Sequence, residues 1–355
     1  MIRLGVIGTG GMANGHAVEF GKMRGVKLAA CCDIIRERAE AYAGKHGIPR
    51  VYADYREMLA QEKLDAITNV TNDAMHAEVS LAAIAHGLHV LCEKPLAANL
   101  ADALRMAEAA REAGVINMVN FSYRNSCGLQ KAAEIIRAGK IGRVIHVESS
   151  YLQSWLSNRA WGDWRENTAL TWRLSTRHGS MGTLGDIGCH IFDMTTLLCG
   201  DIAEINCNLG TFDKGVASIG EYVFDANDSF IAAVKFANGA LGTVHSTRWA
   251  TGHANSLRTR VYGDLGAIEV DLDRAYDEYR ICAGKDTESF TWKTVKCPAT
   301  PNNYQRFIRA IKSGAPDPSD FANGARIQAY LHYCMESDAA RMPLAVEVGE
   351  TAGIV

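Results

Sequence analysis

Two short stretches of the chain carry residues whose types and spacing suit acid–base chemistry. In Asp186-Ile187-Gly188-Cys189-His190-Ile191-Phe192-Asp193 an acid and an imidazole stand four residues apart, so on a helix they share one face. An imidazole exchanges a proton near neutral pH, and a neighbouring carboxylate orients it and favours its charged form. The plain alternative is an aspartate capping a helix and a histidine bonded in a core. Asp193 follows three residues later, as a second support for His190 or as a structural acid. In Cys92-Glu93-Lys94-Pro95 a lysine closes an apolar run. An ammonium there can bond a reacting oxygen and stabilise alkoxide character, although most lysines are plain surface charges. An Asp–His pair four apart also suits a metal, but no third ligand stands at ligand spacing, so no metal is expected.

The third stretch binds rather than reacts. Gly8-Thr9-Gly10-Gly11-Met12-Ala13 fits G-x-G-x-x-G/A, follows an apolar strand and opens a helix. Gly8 permits a tight turn, Gly10 lets the backbone approach a pyrophosphate, and Ala13 allows close helix–strand packing. The diphosphate charge would sit on the helix N-terminus. Asp33, followed by Ile34, stands 20 residues after Ala13, where a carboxylate bonds the ribose hydroxyls of NAD and repels a 2′-phosphate. Arg36 and Arg38 lie close enough to soften that repulsion, so NAD is expected and NADP is not excluded.

These residues need elements to hold them. Leu4–Ile7, Leu28–Cys32, Ala66–Val70, His89–Leu91 and Ile116–Asn120 read as strands, with amphipathic stretches such as Met75–His86 and Leu100–Ala113 between them. Strands alternating with helices predict a doubly wound parallel sheet. A linking helix near Leu129–Ala138 leads to a strand at Val144–Tyr151, a polar stretch over 152–181, and a helix from Gly185 to Leu198. Ala203–Thr211, Ser229–Phe236, Ala240–Arg248, Leu257–Tyr262 and Ala267–Leu272 then read as consecutive strands, with Asn238-Gly239 as a hairpin turn. The expectation is an α/β domain over 1–122 and an α+β domain over 123–355 with an open, mainly antiparallel sheet. Helices near Tyr304–Ser313 and Asn323–Arg341 close the chain, and the active site is expected between closely packed domains.

Composition excludes some partners. The net charge of −3 supplies no basic excess for nucleic acid. No apolar run approaches the roughly 18 residues of a membrane span. Met1–Gly8 enters a strand pattern at once, without the sections of a secretory signal. The ten cysteines contain no C-x-x-C pair. Buried thiols in a reducing cytoplasm are the expectation. In 152–181, Trp155, Trp161, Trp164, Trp172, Arg165 and Arg173 suit a sugar ring, since aromatic faces stack on it and guanidinium groups bond its hydroxyls. Core or subunit packing is the alternative for several tryptophans. Trp172-Arg173 is the preferred pair because it lies nearest the Asp–His helix; Arg177 and His178 rank below it.

Taken together, these motifs resemble the glucose–fructose oxidoreductase / inositol dehydrogenase (Gfo/Idh/MocA) family. The matching residues are Gly8–Ala13, Thr71-Asn72-Asp73-Ala74-Met75-His76, Glu93-Lys94-Pro95 and Gly182-Thr183-Leu184-Gly185-Asp186-Ile187-Gly188-Cys189-His190, with Ala237–Ala240 and Gly263–Ala267 as sheet turns. The resemblance implies a Rossmann domain, a C-terminal α+β domain, and hydride transfer between NAD and a secondary alcohol or ketone of a sugar, sugar derivative or cyclitol. It implies Lys94, Asp186 and His190 as the catalytic trio. Thr71, Asn72, His76, Glu93 and Asn120 fall at or near the cofactor, and Tyr123 and Arg124 between nicotinamide and substrate. It also implies a homodimer or homotetramer built through the C-terminal sheet. Asn72 stands where the family often has proline, and Ser180-Met181-Gly182 replaces a glycine run. Two rival activities within the resemblance are glycoside cleavage through transient ring oxidation and non-catalytic dinucleotide sensing.

Overall fold

The computed structural model describes residues 1–347, apart from the side chains of 168 and 169. The chain forms two compact units, Met1–Ser122 with Pro301–Gln328, and Tyr123–Thr300 with Ala329 onward.

In the first unit β1 (Ile2–Ile7), β2 (Val26–Cys32), β3 (Val51–Tyr52), β4 (Ala66–Asn69), β5 (His89–Cys92) and β6 (Asn117–Val119) form one sheet in the order β3-β2-β1-β4-β5-β6. Every pairing is parallel. The strand order reverses between β1 and β4, and in such sheets ligands bind beyond the strand ends at that point. The helices α1 (Ala13–Gly21), α2 (Arg36–His46), α3 (Tyr55–Gln61), α4 (His76–Ala85) and α5 (Leu100–Ala113) supply the crossovers. The sequence pattern missed β3 and α3. A two-residue strand and a seven-residue helix are too short for periodicity to register, although Asp54 caps α3 by accepting from Arg56 N.

The expected domain over 123–355 differs from the observed units, because 301–328 belongs to the first one. The cause is packing. Phe307, Ile308 and Ala310 join Leu4, Val6, Phe20, Tyr42 and Leu91 in one core cluster. Asn303 Nδ2 donates to Asn120 Oδ1 at 3.0 Å and to the Phe121 carbonyl at 2.9 Å. Residues 348–355 of the expected domain lie outside the described residues.

The second unit begins with α6 (Cys127–Arg137) and β7 (Val144–Leu152), followed by the short α7 (Thr168–Thr171) and then α8 (Cys189–Cys199). Its remaining strands are β8 (Ile202–Gly210), the β9–β10 pair (Ser218–Ile219, Tyr222–Val223), β11 (Ser229–Phe236), β12 (Leu241–Thr247), β13 (Ser256–Gly263), β14 (Gly266–Asp271), β15 (Glu278–Ala283), β16 (Lys293–Lys296) and β17 (Leu344–Ala345). The main sheet runs β16-β15-β14-β13-β7-β12-β11-β8-β17. It is antiparallel except where β7 and β12 run parallel. The parallel pair demands a long crossover, which carries the 152–181 stretch and α8. Phe192 on α8 stacks on Phe230 of β11 at 5.8 Å. A Cβ on Gly188 would meet that phenyl ring at 3.0 Å, so glycine lets the helix settle on the sheet. The sequence pattern missed β15 and β16. The second, Lys293-Thr294-Val295-Lys296, is a largely exposed edge strand with little apolar signal.

Two chain-closing helices are α9 (Asn303–Ser313), opened by an Asn302/Gln305 capping box, and α10 (Phe321–Ala340). Among the described residues no helix is long and apolar enough to cross a membrane.

Candidate functional site

A cavity of about 640 Å³ lies beyond the ends of β1, β2 and β4 in the first unit. Of the residues expected at a dinucleotide, Gly8, Gly10, Asp33, Ile34, Thr71 and Asn72 line it. Gly8 holds φ +85°, and a Cβ there would come within 2.5 Å of the Val70 carbonyl oxygen. At Gly10 a Cβ would meet nothing within 4 Å, which leaves room for a diphosphate against the backbone. Thr9 is behind the wall. Its N–H and hydroxyl both donate to Asp33 Oδ2 at 2.9 Å. Ile35 N donates to Asp33 Oδ1 at 3.0 Å. Burial pushes the Asp33 carboxyl up, but these hydrogen bonds and Arg38 outweigh it and hold the group below its usual value. Gly11 and Met12 are exposed outside the cavity lining. Sequence spacing missed Tyr55, Arg56 and Ala53, which line the cavity from the overlooked β3–α3 segment. The glycine turn, the open space over Gly10 and the carboxylate at the far wall fit NAD.

Three expected cofactor residues, His76, Glu93 and Asn120, are buried outside the cavity lining. His76 is fully buried, with Nδ1 2.7 Å from the Pro95 carbonyl and Nε2 3.2 Å from the Thr71 carbonyl. Both nitrogens can donate only in the imidazolium. Burial opposes that form, yet Cys92, Asp73 and the Pro95 carbonyl raise the group to about 9. His76 therefore clips the Thr71 loop to the turn after Lys94. Glu93 Oε1 lies 2.8 Å from His16 Nε2 and accepts from Asn120 Nδ2 at 2.6 Å. Burial pushes Glu93 up, but His16, Asn120 and Lys94 together lower it to about 2. The sequence pattern gave no hint of His16, which reaches Thr68 with its other nitrogen at 2.7 Å. Lys94 itself is partly exposed at the end of β5.

The second unit holds the other candidates. The helix expected from Gly185 opens instead as a π turn over Leu184–Gly188 and becomes α-helical at Cys189. Such turns often occur at functional sites. They also alter the angular spacing, so Asp186 and His190 do not occupy one regular α-helical face. Asp186 Oδ2 is 2.9 Å from Arg248 Nη2 and 3.4 Å from Arg173 Nε. Arg248 is fully buried, which lowers its basicity while Asp186 raises it again. Arg248 has no local signature; it comes from the end of β12, 62 residues from Asp186. Arg173 also lies over the Trp172 ring at 4.7 Å. His190 is buried, and the Tyr123 ring meets it edge-on at 4.7 Å.

Arg124 is placed differently from its expected contact with substrate. Its Nε and Nη2 donate to the two Asp193 oxygens at 2.8 and 2.6 Å in the interior. That buried fork fixes the segment carrying Tyr123 onto α8 and assigns Asp193 a structural partner. Trp155 and Trp164 lie in a core cluster with Leu156, Leu174 and Phe224, whereas Trp161 remains exposed. Among the described residues no group of three or more His, Cys, Asp or Glu side chains is placed to hold a metal ion. Every cysteine is a free thiol, and all but Cys297 are buried.

A switch-point cavity with a glycine turn and a carboxylate in its wall is the arrangement of a dinucleotide-binding protein. Residues 2–121 match the family model described as the oxidoreductase family with an NAD-binding Rossmann fold. Residues 129–269 match the GFO/IDH/MocA C-terminal domain. The chain is 31% identical to the 1,5-anhydro-D-fructose reductase of Ensifer adhaerens over 69% of each chain. It is 28% identical to the levoglucosan dehydrogenase of Pseudarthrobacter phenanthrenivorans over 80% of this chain and 77% of that one. A solved levoglucosan dehydrogenase in complex with NADH and levoglucosan superposes with a TM-score of 0.87 at 26% identity, covering 98% of this chain and 99% of that one. The chain belongs to the Gfo/Idh/MocA family of oxidoreductases, and its first unit is that family's NAD-binding Rossmann fold.

Proposed function

We propose that the chain oxidises or reduces a secondary carbinol of a sugar, sugar derivative or cyclitol, with Lys94 and His190 acting on the same oxygen. The observation that carries this is a histidine beside a tyrosine pair, four residues after an aspartate clamped by two arginines, in a chain whose other unit holds an NAD cavity. Relatives named for levoglucosan, 1,5-anhydro-D-fructose and myo-inositol support a cyclic polyol.

Gly8, Gly10, Asp33, Ile34, Thr71 and Asn72 would hold the dinucleotide, with Gly11 and Met12 flanking its diphosphate. When bound, the nicotinamide accepts or supplies the hydride at the carbinol carbon. His190 takes the hydroxyl proton during oxidation and returns it during reduction. Lys94 donates a hydrogen bond to the same oxygen as it gains negative charge. Asp186, fixed by Arg248 and Arg173, favours positive charge on its surroundings. Trp172 and Arg173 offer a ring face and donors to the substrate. The protein acts in the cytoplasm as a homo-oligomer joined through the second unit's sheet, whose exposed Ile231 and Leu241 give a second copy apolar surface to cover.

The test is NADH formation across inositols, aldoses, anhydrosugars and glycosides, with NAD and NADP in parallel. Lys94→Ala and His190→Asn should each lower kcat/KM by about 10²–10⁴-fold, while NADH titration shows binding retained. Near-normal turnover in both variants rejects the assignment. Sugar release from glycosides without net NADH would replace it with transient ring oxidation.

A further inference from the structure

One ring in the first unit is buried between two acceptors. His76 is shut off from solvent, with Nδ1 2.7 Å from the Pro95 carbonyl and Nε2 3.2 Å from the Thr71 carbonyl. A carbonyl oxygen only accepts, and a neutral imidazole carries a single N–H. Either neutral tautomer would turn a bare nitrogen lone pair onto one of the two oxygens, a costly mismatch in the interior. The imidazolium satisfies both.

The surroundings hold the ring to this choice. Asn69 is fully buried and donates from Nδ2 to the His76 carbonyl at 3.1 Å and to the Ser80 hydroxyl at 3.0 Å. Its Oδ1 accepts from the Thr71 hydroxyl at 2.7 Å. One amide thus ties the backbone of His76 to the side chain of Thr71. A buried cation keeps its proton only among groups that favour the charge. Burial opposes the charge on His76, but Cys92 at the end of β5, Asp73 in the turn before α4 and the Pro95 carbonyl favour it more strongly. Glu93, on the same turn as Pro95, is directed to His16 and Asn120 instead, and Glu78 of α4 to Tyr55 and Arg56. Thr71 lines the NAD cavity while His76 does not, and Pro95 directly follows Lys94.

We propose that His76 is a positioning residue for the cofactor. Its imidazolium ties the Thr71 wall of the NAD cavity to the turn carrying Lys94, so NAD affinity depends on a proton held outside the cavity. When the ring loses that proton, one end of the tie faces a lone pair and the Thr71 wall loosens. The ring holds its proton up to about 9, against 6.5 for the ordinary group. A raised folded value stabilises the fold fully below about pH 6.5, and this contribution is lost as pH rises through about 9. Cofactor affinity concerns the folded protein alone and follows only the upper limit. It should hold to about pH 8 and fall about tenfold by about pH 10.

Two measurements on the intact protein test this. With the eleven histidines labelled with ¹⁵N, the two ring nitrogens of an imidazolium resonate close together and those of a neutral ring far apart. The His76 pair is the one missing from His76→Gln. NADH titration by fluorescence, from about pH 7 to about pH 10, gives the affinity. Wild type should show the close pair at neutral pH and one alkaline step in affinity, with the midpoint at which that pair titrates. His76→Gln keeps a donor for one carbonyl and cannot titrate, so it should bind about tenfold more weakly at neutral pH and show no step. His76→Asn serves if glutamine does not fold there. Cys92→Ser removes a group that favours the charge without touching the ring, so both midpoints should fall together. Nitrogens far apart at neutral pH, a flat wild-type affinity, a step that survives in His76→Gln, or midpoints that part in Cys92→Ser overturn the proposal. Failure of every polyol to react rejects the proposed function alone, since NADH binding is read without substrate.

Discussion

Two carboxylates anchor the two units, and they are held by different means. Asp33 is hydrogen-bonded by neutral donors, two backbone N–H groups and a hydroxyl within the strand-end turns around it, with the half-exposed Arg38 farther off at 3.5 Å. Asp186 is bound by two guanidinium groups delivered from Arg173 and from the distant Arg248. The half-exposed Arg38 offsets the charge of Asp33 only in part. The two arginines hold Asp186 as a rigid post. The carboxylate is thus held by local backbone in one unit and by a side chain 62 residues away in the other.

Substitutions can break this contrast at several points. The largest effect is expected from Gly8→Ala, which forces a left-handed residue and a Cβ 2.5 Å from the Val70 carbonyl oxygen. NADH affinity should fall more than about 100-fold and stability by about 3 kcal/mol, read by fluorescence titration and thermal melting. Next, Asp33→Ala frees Arg38, which lies 3.5 Å from that carboxylate. The NADP-to-NAD preference in kcat/KM should rise about 10- to 100-fold. Unchanged preference would remove Asp33 from cofactor choice.

Arg248→Met should lower kcat about tenfold by loosening Asp186, with NADH affinity unaltered. If NADH binding weakened as much as it does in Asp33→Ala, the two posts would not be independent. The smallest effect concerns acid. Glu93 sits at about 2 in the folded protein, against 4.5 for the unperturbed group. A lowered folded value stabilises above the unfolded one, so this contribution is complete above about pH 4.5 and fades as pH falls toward 2. The melting temperature should drop by a few degrees more in wild type than in Glu93→Gln between about pH 5 and 3.

The contrast also explains what the sequence revealed. Gly8, Gly10 and Asp33 were legible because a backbone turn demands specific residues at fixed short spacing. The antiparallel strands around Asn238-Gly239 were legible from alternation. Arg248 and His16 were not, since each depends on strands brought together across 62 residues or more. The π turn at Leu184–Gly188 escaped because a helical hydrophobic pattern does not record one extra residue per turn. The pairing of Arg124 with Asp193 escaped for a related reason, since the two lie 69 residues apart.

The return of 301–328 to the first unit has a consequence for biosynthesis. A ribosome that has released the first 122 residues has delivered the whole parallel sheet but not Phe307, Ile308 or Asn303. Nascent chains must wait for about 180 further residues before that core can close, which lengthens the time its apolar surface stays open. A fragment cut at residue 122 would inherit the same gap permanently.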